Sequence, residues 1–344
     1  MNTKEHYSSL DGIRAYAAIG IVLMHILANI SVKPSENYCT QTLIPFFTDF
    51  TLLFMLVSAF SMCCGYYQRI KEGSISPNSF YKKRYLRILP FFAFLCLLDF
   101  LIEPSVETFY QVYANLTLCF GLLPAHNITV IGVGWFLGIV FLFYLLFPFF
   151  VFMLDTKKRA WGSFLVSLLF VIIAMNAEFV SGGVTRGNFI FCAPYFLAGG
   201  LIYLYRHGIV EFAKRYNILC AIVTILLTIC YFAFKHLFSA NLGYIAELCL
   251  FALWILFAIG TNTKLLSNRV LKYLSNISME IYLSHMLIYR VIEKVHLEKY
   301  ISQNDILYIV TSILTICGVI CFAHIMKYLS LIHISEPTRL RRIS

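Results

Sequence analysis

Two residues near the start of the chain stand where ionisable groups are rarely found. Arg14 and His25 both lie in the apolar run Ser9-Leu-Asp-Gly-Ile-Arg-Ala-Tyr-Ala-Ala-Ile-Gly-Ile-Val-Leu-Met-His25. Eleven residues of α-helix turn through three revolutions plus about 20°, so the two side chains share a face, roughly 16 Å apart along the axis. Ionisable groups inside membrane helices usually line a substrate path, relay protons or pair across helices. A neutral imidazole can take a proton from a hydroxyl near neutral pH, which makes His25 a candidate base. Arginine cannot act as a base; the fixed charge of Arg14 suits holding a phosphate or a carbonyl oxygen, or pairing with Asp11 one turn earlier. The structural alternative is that Arg14 snorkels to the nearer interface while His25 hydrogen-bonds a neighbouring helix.

Other polar residues recur in patterns that could support the same site. In Phe80-Tyr-Lys-Lys-Arg-Tyr-Leu-Arg-Ile-Leu-Pro90, Arg84 and Arg87 are one helical turn apart and Lys82 and Lys83 precede them. Such a fork could grip a polyphosphate, or it could be an interfacial anchor for anionic lipid. Ser58 interrupts the apolar stretch 54–60, and Trp135 opens another; both positions equally suit packing and interfacial roles. Towards the end, Ser275-Asn-Ile-Ser-Met-Glu-Ile-Tyr-Leu-Ser-His285 offers Glu280, Tyr282 and His285 to a polar cavity. Asp99, Glu247 and His324 could line a cavity or satisfy a helix contact.

The elements that must position these groups are membrane helices. Of the 344 residues 60% are hydrophobic and only 13% charged, with a mean hydropathy of +0.79, which excludes a water-soluble globule. Apolar runs predict about ten spanning helices, near 10–30, 46–66, 88–102, 132–154, 162–177, 189–205, 218–235, 242–260, 277–291 and 305–328. A further apolar stretch, 110–123, is re-entrant or interfacial in this reading. No polar segment is long enough for a second folded domain, so residues 1–328 form one all-α membrane domain, followed by a basic tail, 329–344, either cytoplasmic or foreign to the rest. A cleaved signal peptide is not expected. The net charge of +10 sits in short loops, at 69–87, 157–159, 206–215 and 264–272, rather than on one soluble face. These are topology signals, not a nucleic-acid surface, and they place both termini in the cytoplasm, with Arg14 near it and His25 deep in the membrane. The eleven cysteines include no CxxC pair and read as small buried hydrophobes; no metal site is expected.

Taken in order, four of these stretches resemble the motifs of the membrane-bound acyltransferase family 3, which includes bacterial O-acetyltransferases of surface polysaccharides. Leu10-Asp-Gly-Ile-Arg14 followed by His25 is similar to the family's opening helix, and the stretch 54–60 to its serine-containing second helix, with Ala59 in place of the usual glycine. Arg84-Tyr-Leu-Arg87 matches the family's RxxR element, and Ser275 to His285 its late Ser-x-x-Ser-x-x-Ile-Tyr-Leu-x-His signature. Trp135, Phe143, Tyr144 and Pro148 keep the fourth-helix pattern, but Val140 occupies the position where many members carry glutamate. The resemblance extends to no fused periplasmic domain of the kind some members carry, so a stand-alone transferase is expected.

The resemblance implies a multi-pass protein of the bacterial inner membrane with no permanently bound cofactor. It would transfer an acyl group, most often acetyl, from cytoplasmic acyl-CoA to a hydroxyl of a cell-surface or lipid-linked glycan. Arg84, Arg87, Lys82 and Lys83 would hold the coenzyme phosphates, Arg14 would orient the cofactor, and His25 would serve as base or acyl carrier. The competing reading is a transporter or flippase for a small acid or lipid-linked sugar, using Arg14 and His25 as a clamp or proton relay.

Overall fold

The computed structural model describes residues 7–102, 104–122, 131–177 and 184–340, with side chains described as far as residue 327. The end of the basic tail, 341–344, and the side chains of 328–340 lie outside this description. The described residues contain helices and no strands. The helices are α1 (Ser8–Asn29), α2 (Cys39–Lys71), α3 (Pro77–Ile102), α4 (Val106–Leu116), α5 (Trp135–Met153), α6 (Lys157–Asn176), α7 (Phe189–Arg215), α8 (Asn217–Phe234), α9 (Ala240–Gly260), α10 (Arg269–Asn276), α11 (Ser278–Glu293) and α12 (Asn304–Leu340).

Among the described residues nine helices are long and apolar enough to cross a membrane. The expected span 277–291 is the one that falls short. It forms α11, whose 16 residues reach only about 24 Å at 1.5 Å per residue, below the thickness of a typical hydrocarbon core. The stretch 110–123 divides between α4 and a 3₁₀ turn at Phe120–Leu122. Helix α2 is longer than expected because two π-helical turns, Cys39–Leu43 and Cys63–Tyr67, extend it at both ends without breaking it.

The chain divides into two compact units. The first comprises residues 1–14, 51–81 and 139–272; the second comprises 15–50, 82–138 and 273–344.

In the first unit α7 packs against α6 and α9, and α8 against α9. Its helix starts follow from local chemistry: the side chains of Thr156, Asn188 and Ser239 accept the backbone N–H groups of Arg159, Ile190 and Leu242, which the helix itself leaves unpaired. Aromatic rings fill the interior, with Phe143 stacked on Phe196 at 4.1 Å between centroids. Close approach is made possible by glycine. A Cβ on Gly12 would strike the backbone of Leu266, and one on Gly199 would strike the Leu56 carbonyl and meet the Cβ of Ala59 at 2.9 Å. Gly199 thus makes room for the alanine that stands at position 59. Helices α6 and α8 leave Leu165, Val166, Leu169, Phe170, Ile218, Ile225 and Ile229 exposed, an apolar surface suited to lipid.

In the second unit α11 packs along α12. Tyr308 of α12 donates to the Leu23 carbonyl of α1 at 3.0 Å, and Asp305 accepts hydrogen bonds from the backbone and side chain of Ser35. Asp99 near the end of α3 accepts the backbone N–H of Ile131 at 3.0 Å and faces Arg290 of α11 at 3.6 Å. Asp99 therefore ties three segments together, a structural role. The other two residues with open readings are likewise engaged: Glu247 accepts from Tyr195 in the first unit, and His324 Nδ1 meets Tyr273 Oη at 2.8 Å in the second.

Candidate functional site

The second unit gathers most of the expected site residues. His25 is half-buried on α1, and its ring lies against that of His285 on α11, with centroids 4.9 Å apart and planes inclined by 44°. His285 is buried, 1% exposed. Its Nδ1 lies 2.6 Å from the Tyr282 carbonyl. A carbonyl can only accept, so Nδ1 carries the proton and, in the neutral ring, Nε2 keeps a lone pair. That Nε2 is buried and has no hydrogen-bond partner.

Tyr282 fixes the turn of α11 on which His285 stands. Its hydroxyl donates to the Val133 carbonyl at 3.0 Å, and its ring contacts Phe136 at 5.0 Å, so the segment leading into α5 is held beside α11. Trp135, half-buried at the first position of α5, packs edge-on to Phe136. Two residues before Tyr282, the carboxylate of Glu280 has a buried oxygen, Oε2, without a hydrogen-bond partner, and the charges of Lys327 and Arg87 act on it. The backbone carbonyl of Glu280 accepts from the buried Ser284 hydroxyl at 2.7 Å. On α3, Arg87, Lys82 and Lys83 are exposed and Arg84 is half-buried.

A cavity of about 500 Å³ opens between the end of α1 and the beginning of α2. Met24 and Leu27 form an apolar side, and Lys33, Glu36, Gln41 and Thr48 supply a cation, a carboxylate, an amide and a hydroxyl. Lys33 also donates to the Leu27 and Ala28 carbonyls, both at 2.8 Å, satisfying acceptors that the end of α1 leaves open. The Asn29 side chain does the same for the His25 carbonyl at 2.7 Å.

Arg14, Asp11 and Ser58 belong to the first unit. Asp11 is buried, and Ser58 is half-buried on α2. Arg14 donates to the hydroxyl of Ser61 at 2.6 Å. Ser61, one turn beyond Ser58, is the residue that sequence reasoning missed. The only signal that could have found it is a second hydroxyl at helical spacing in α2. Val140, which brings no carboxylate to that place, is buried in the first unit, 5% exposed. Among the described residues no cluster of three or more His, Cys, Asp or Glu side chains could hold a metal ion.

Comparison with known proteins gives a family. The model described as "Acyltransferase domain" matches residues 7–326, a region that includes all the site residues above. A protein of Rhizobium radiobacter described as "Protein 2 in picA locus" is 26% identical over 128 residues, which cover 35% of this chain and 62% of that protein. The match thus spans less than two thirds of that relative's own length. No solved structure matches.

Proposed function

The chain belongs to this acyltransferase family and is an integral membrane protein, and from that premise we propose that it moves an acetyl group from cytoplasmic acetyl-CoA to a hydroxyl of a glycan or lipid-linked sugar at the bacterial inner membrane. The observation that carries the reading is the match over residues 7–326, which spans His25, the RxxR element and the late His285 motif in one family. The basic loops point to the cytoplasm, and with α11 crossing as a short tenth helix both termini lie there too. Coenzyme phosphates then meet Arg87 and Arg84, with Lys82 and Lys83 beside them, at the inner mouth.

His25 removes the proton of the acceptor hydroxyl as its oxygen bonds to the thioester carbonyl carbon. The C–S bond breaks, and the proton passes from the imidazolium to the coenzyme thiolate, giving an ester and free CoA. The alternative in which His25 itself carries the acetyl group predicts a trappable acetyl-imidazole. Arg14, anchored by Ser61, supplies a fixed positive charge on the helix that also carries the base. The cavity beyond α1, with its mix of polar groups over an apolar side, is suited to the hydroxyls and carbon face of a sugar.

Membrane vesicles containing the protein and supplied with [¹⁴C]acetyl-CoA test this. Label is expected in extractable glycan or lipid. His25→Ala should remove transfer while the protein remains inserted, and full activity of that variant overturns the mechanism. Arg84→Ala and Arg87→Ala should raise the apparent KM for acetyl-CoA; an unchanged value identifies the fork as a lipid anchor. Label taken up without covalent transfer would indicate a transporter.

A further inference from the structure

The mechanism leaves one buried group without a task. His285 is 1% exposed, holds its Nδ1–H on the Tyr282 carbonyl and keeps Nε2 without a partner, beside the ring of His25. A histidine that only fills space in a core normally has both nitrogens satisfied, because an unpaired buried polar atom costs free energy. Here one nitrogen is fixed and the other is left open, in a ring that lies beside a second imidazole. The remaining contacts restrain the arrangement: the Tyr282 hydroxyl is held on the Val133 carbonyl, and the Ser284 hydroxyl on the Glu280 carbonyl.

We infer that His285 is a positioning residue for His25, an inference that rests on the reading of His25 as the base. The second torsion of a histidine side chain is broad, so a rotation of the half-buried His25 ring brings one of its nitrogens to Nε2 of His285. Nε2 accepts the N–H of His25. That fixes the His25 tautomer and leaves the lone pair on its other nitrogen for the acceptor hydroxyl. When His25 takes the hydroxyl proton, the bond to His285 becomes charge-assisted and steadies the imidazolium until its proton reaches the coenzyme thiolate. His285 begins and ends the cycle neutral, and no other reactant is needed. The part is the one that an orienting carboxylate plays for a catalytic histidine elsewhere, performed by an uncharged acceptor that costs less to bury in a membrane.

Three substitutions separate this role from packing. His285→Gln keeps an acceptor near the Nε2 position, His285→Asn places its polar group near Nδ1, and His285→Phe keeps ring volume with no acceptor. The assay is transfer from [¹⁴C]acetyl-CoA in vesicles carrying the full chain, normalised to inserted protein, with wild type and His25→Ala alongside. The Asn and Phe variants should lose about 10²-fold in kcat with KM for acetyl-CoA nearly unchanged, and Gln should recover a tenfold or larger part of that loss. Wild-type kcat in His285→Phe, or equal kcat in the Gln and Asn variants, overturns the inference. No transfer by wild type, or undiminished transfer by His25→Ala, overturns the reading of His25 and the inference with it. Transfer lost in His25→Ala but intact in His285→Phe overturns the inference alone.

Discussion

In the first unit Arg14 donates to Ser61, Tyr195 to Glu247, Ser9 to the Thr261 carbonyl and Tyr67 to the Leu154 carbonyl. Among the described residues, no buried side-chain nitrogen or oxygen of that unit lacks a hydrogen-bond partner. In the second unit His285 Nε2, Glu280 Oε2 and Asn115 Oδ1 do lack one. In a membrane, where water does not stand ready to replace a missing partner, this difference separates two uses of polarity. Satisfied groups fasten helices to one another. Groups left open in a packed interior are expensive and persist where a substrate or a moving proton completes them. The first unit thus reads as the fastened part of the molecule, and the second as the part that holds the open groups on which the proposed reaction draws.

The sharpest way to break the contrast is to cut a fastening. Ser61→Ala removes the hydroxyl that accepts from Arg14, a hydrogen bond to a charged group worth about 1.5–3 kcal/mol. Thermal unfolding followed by size-exclusion chromatography in detergent should show a clear loss of stability, with the activity of the surviving folded protein reduced much less. A variant of wild-type stability that has lost all transfer would move Arg14 and Ser61 from fastening to chemistry.

An effect of the opposite kind is expected at Glu280. Its buried Oε2 has no hydrogen bond to lose, so Glu280→Gln removes a carboxylate whose burial already opposes folding. Stability should stay within about 1 kcal/mol of wild type. Transfer should fall, because the carboxylate on which the charges of Lys327 and Arg87 act is gone. A destabilised but fully active variant would place Glu280 with the fastenings and remove the distinction between the units.

How much of this could be read from the sequence differs between the units for the same physical reason. Apolar runs of spanning length declare a helical membrane bundle, and an arginine and a histidine inside one of them are conspicuous because charge in lipid is costly. Arg87 and the late segment carrying Glu280, Tyr282 and His285 were legible through their types and spacing. What spacing cannot give is pairing across hundreds of residues. The ring contact of His25 with His285 joins positions 260 residues apart, and nothing local to either names the other. Ser61 is one ordinary hydroxyl in an apolar helix, and a serine one turn away looked as suitable. Gly12 reads as a motif letter until the backbone of Leu266 is seen against it. The shortness of α11 stood in the sequence itself: the expected span, 277–291, is no longer than the helix that forms, and Lys294 follows directly on Glu293.

The smallest effect should come from a fastening that water can replace. Lys71 Nζ lies 2.8 Å from Asp155 Oδ1 in the first unit, with both side chains more than a third exposed. The hydrogen bond and the positive charge of Lys71 hold the Asp155 carboxyl below its ordinary range. A carboxyl depressed in the folded state adds stability above its unfolded pKa, near 4, and loses it as pH falls through that value towards the folded one. Solvent and salt screen this pair, so Asp155→Asn should melt indistinguishably from wild type at pH 7 in 0.15 M salt. Any difference should emerge only at low ionic strength, and should shrink as the buffer is taken below about pH 4. A melting curve at pH 7 displaced as far as that of Ser61→Ala would mean that exposure does not weaken fastenings in the first unit, and that the line between the units is not drawn by buried polarity.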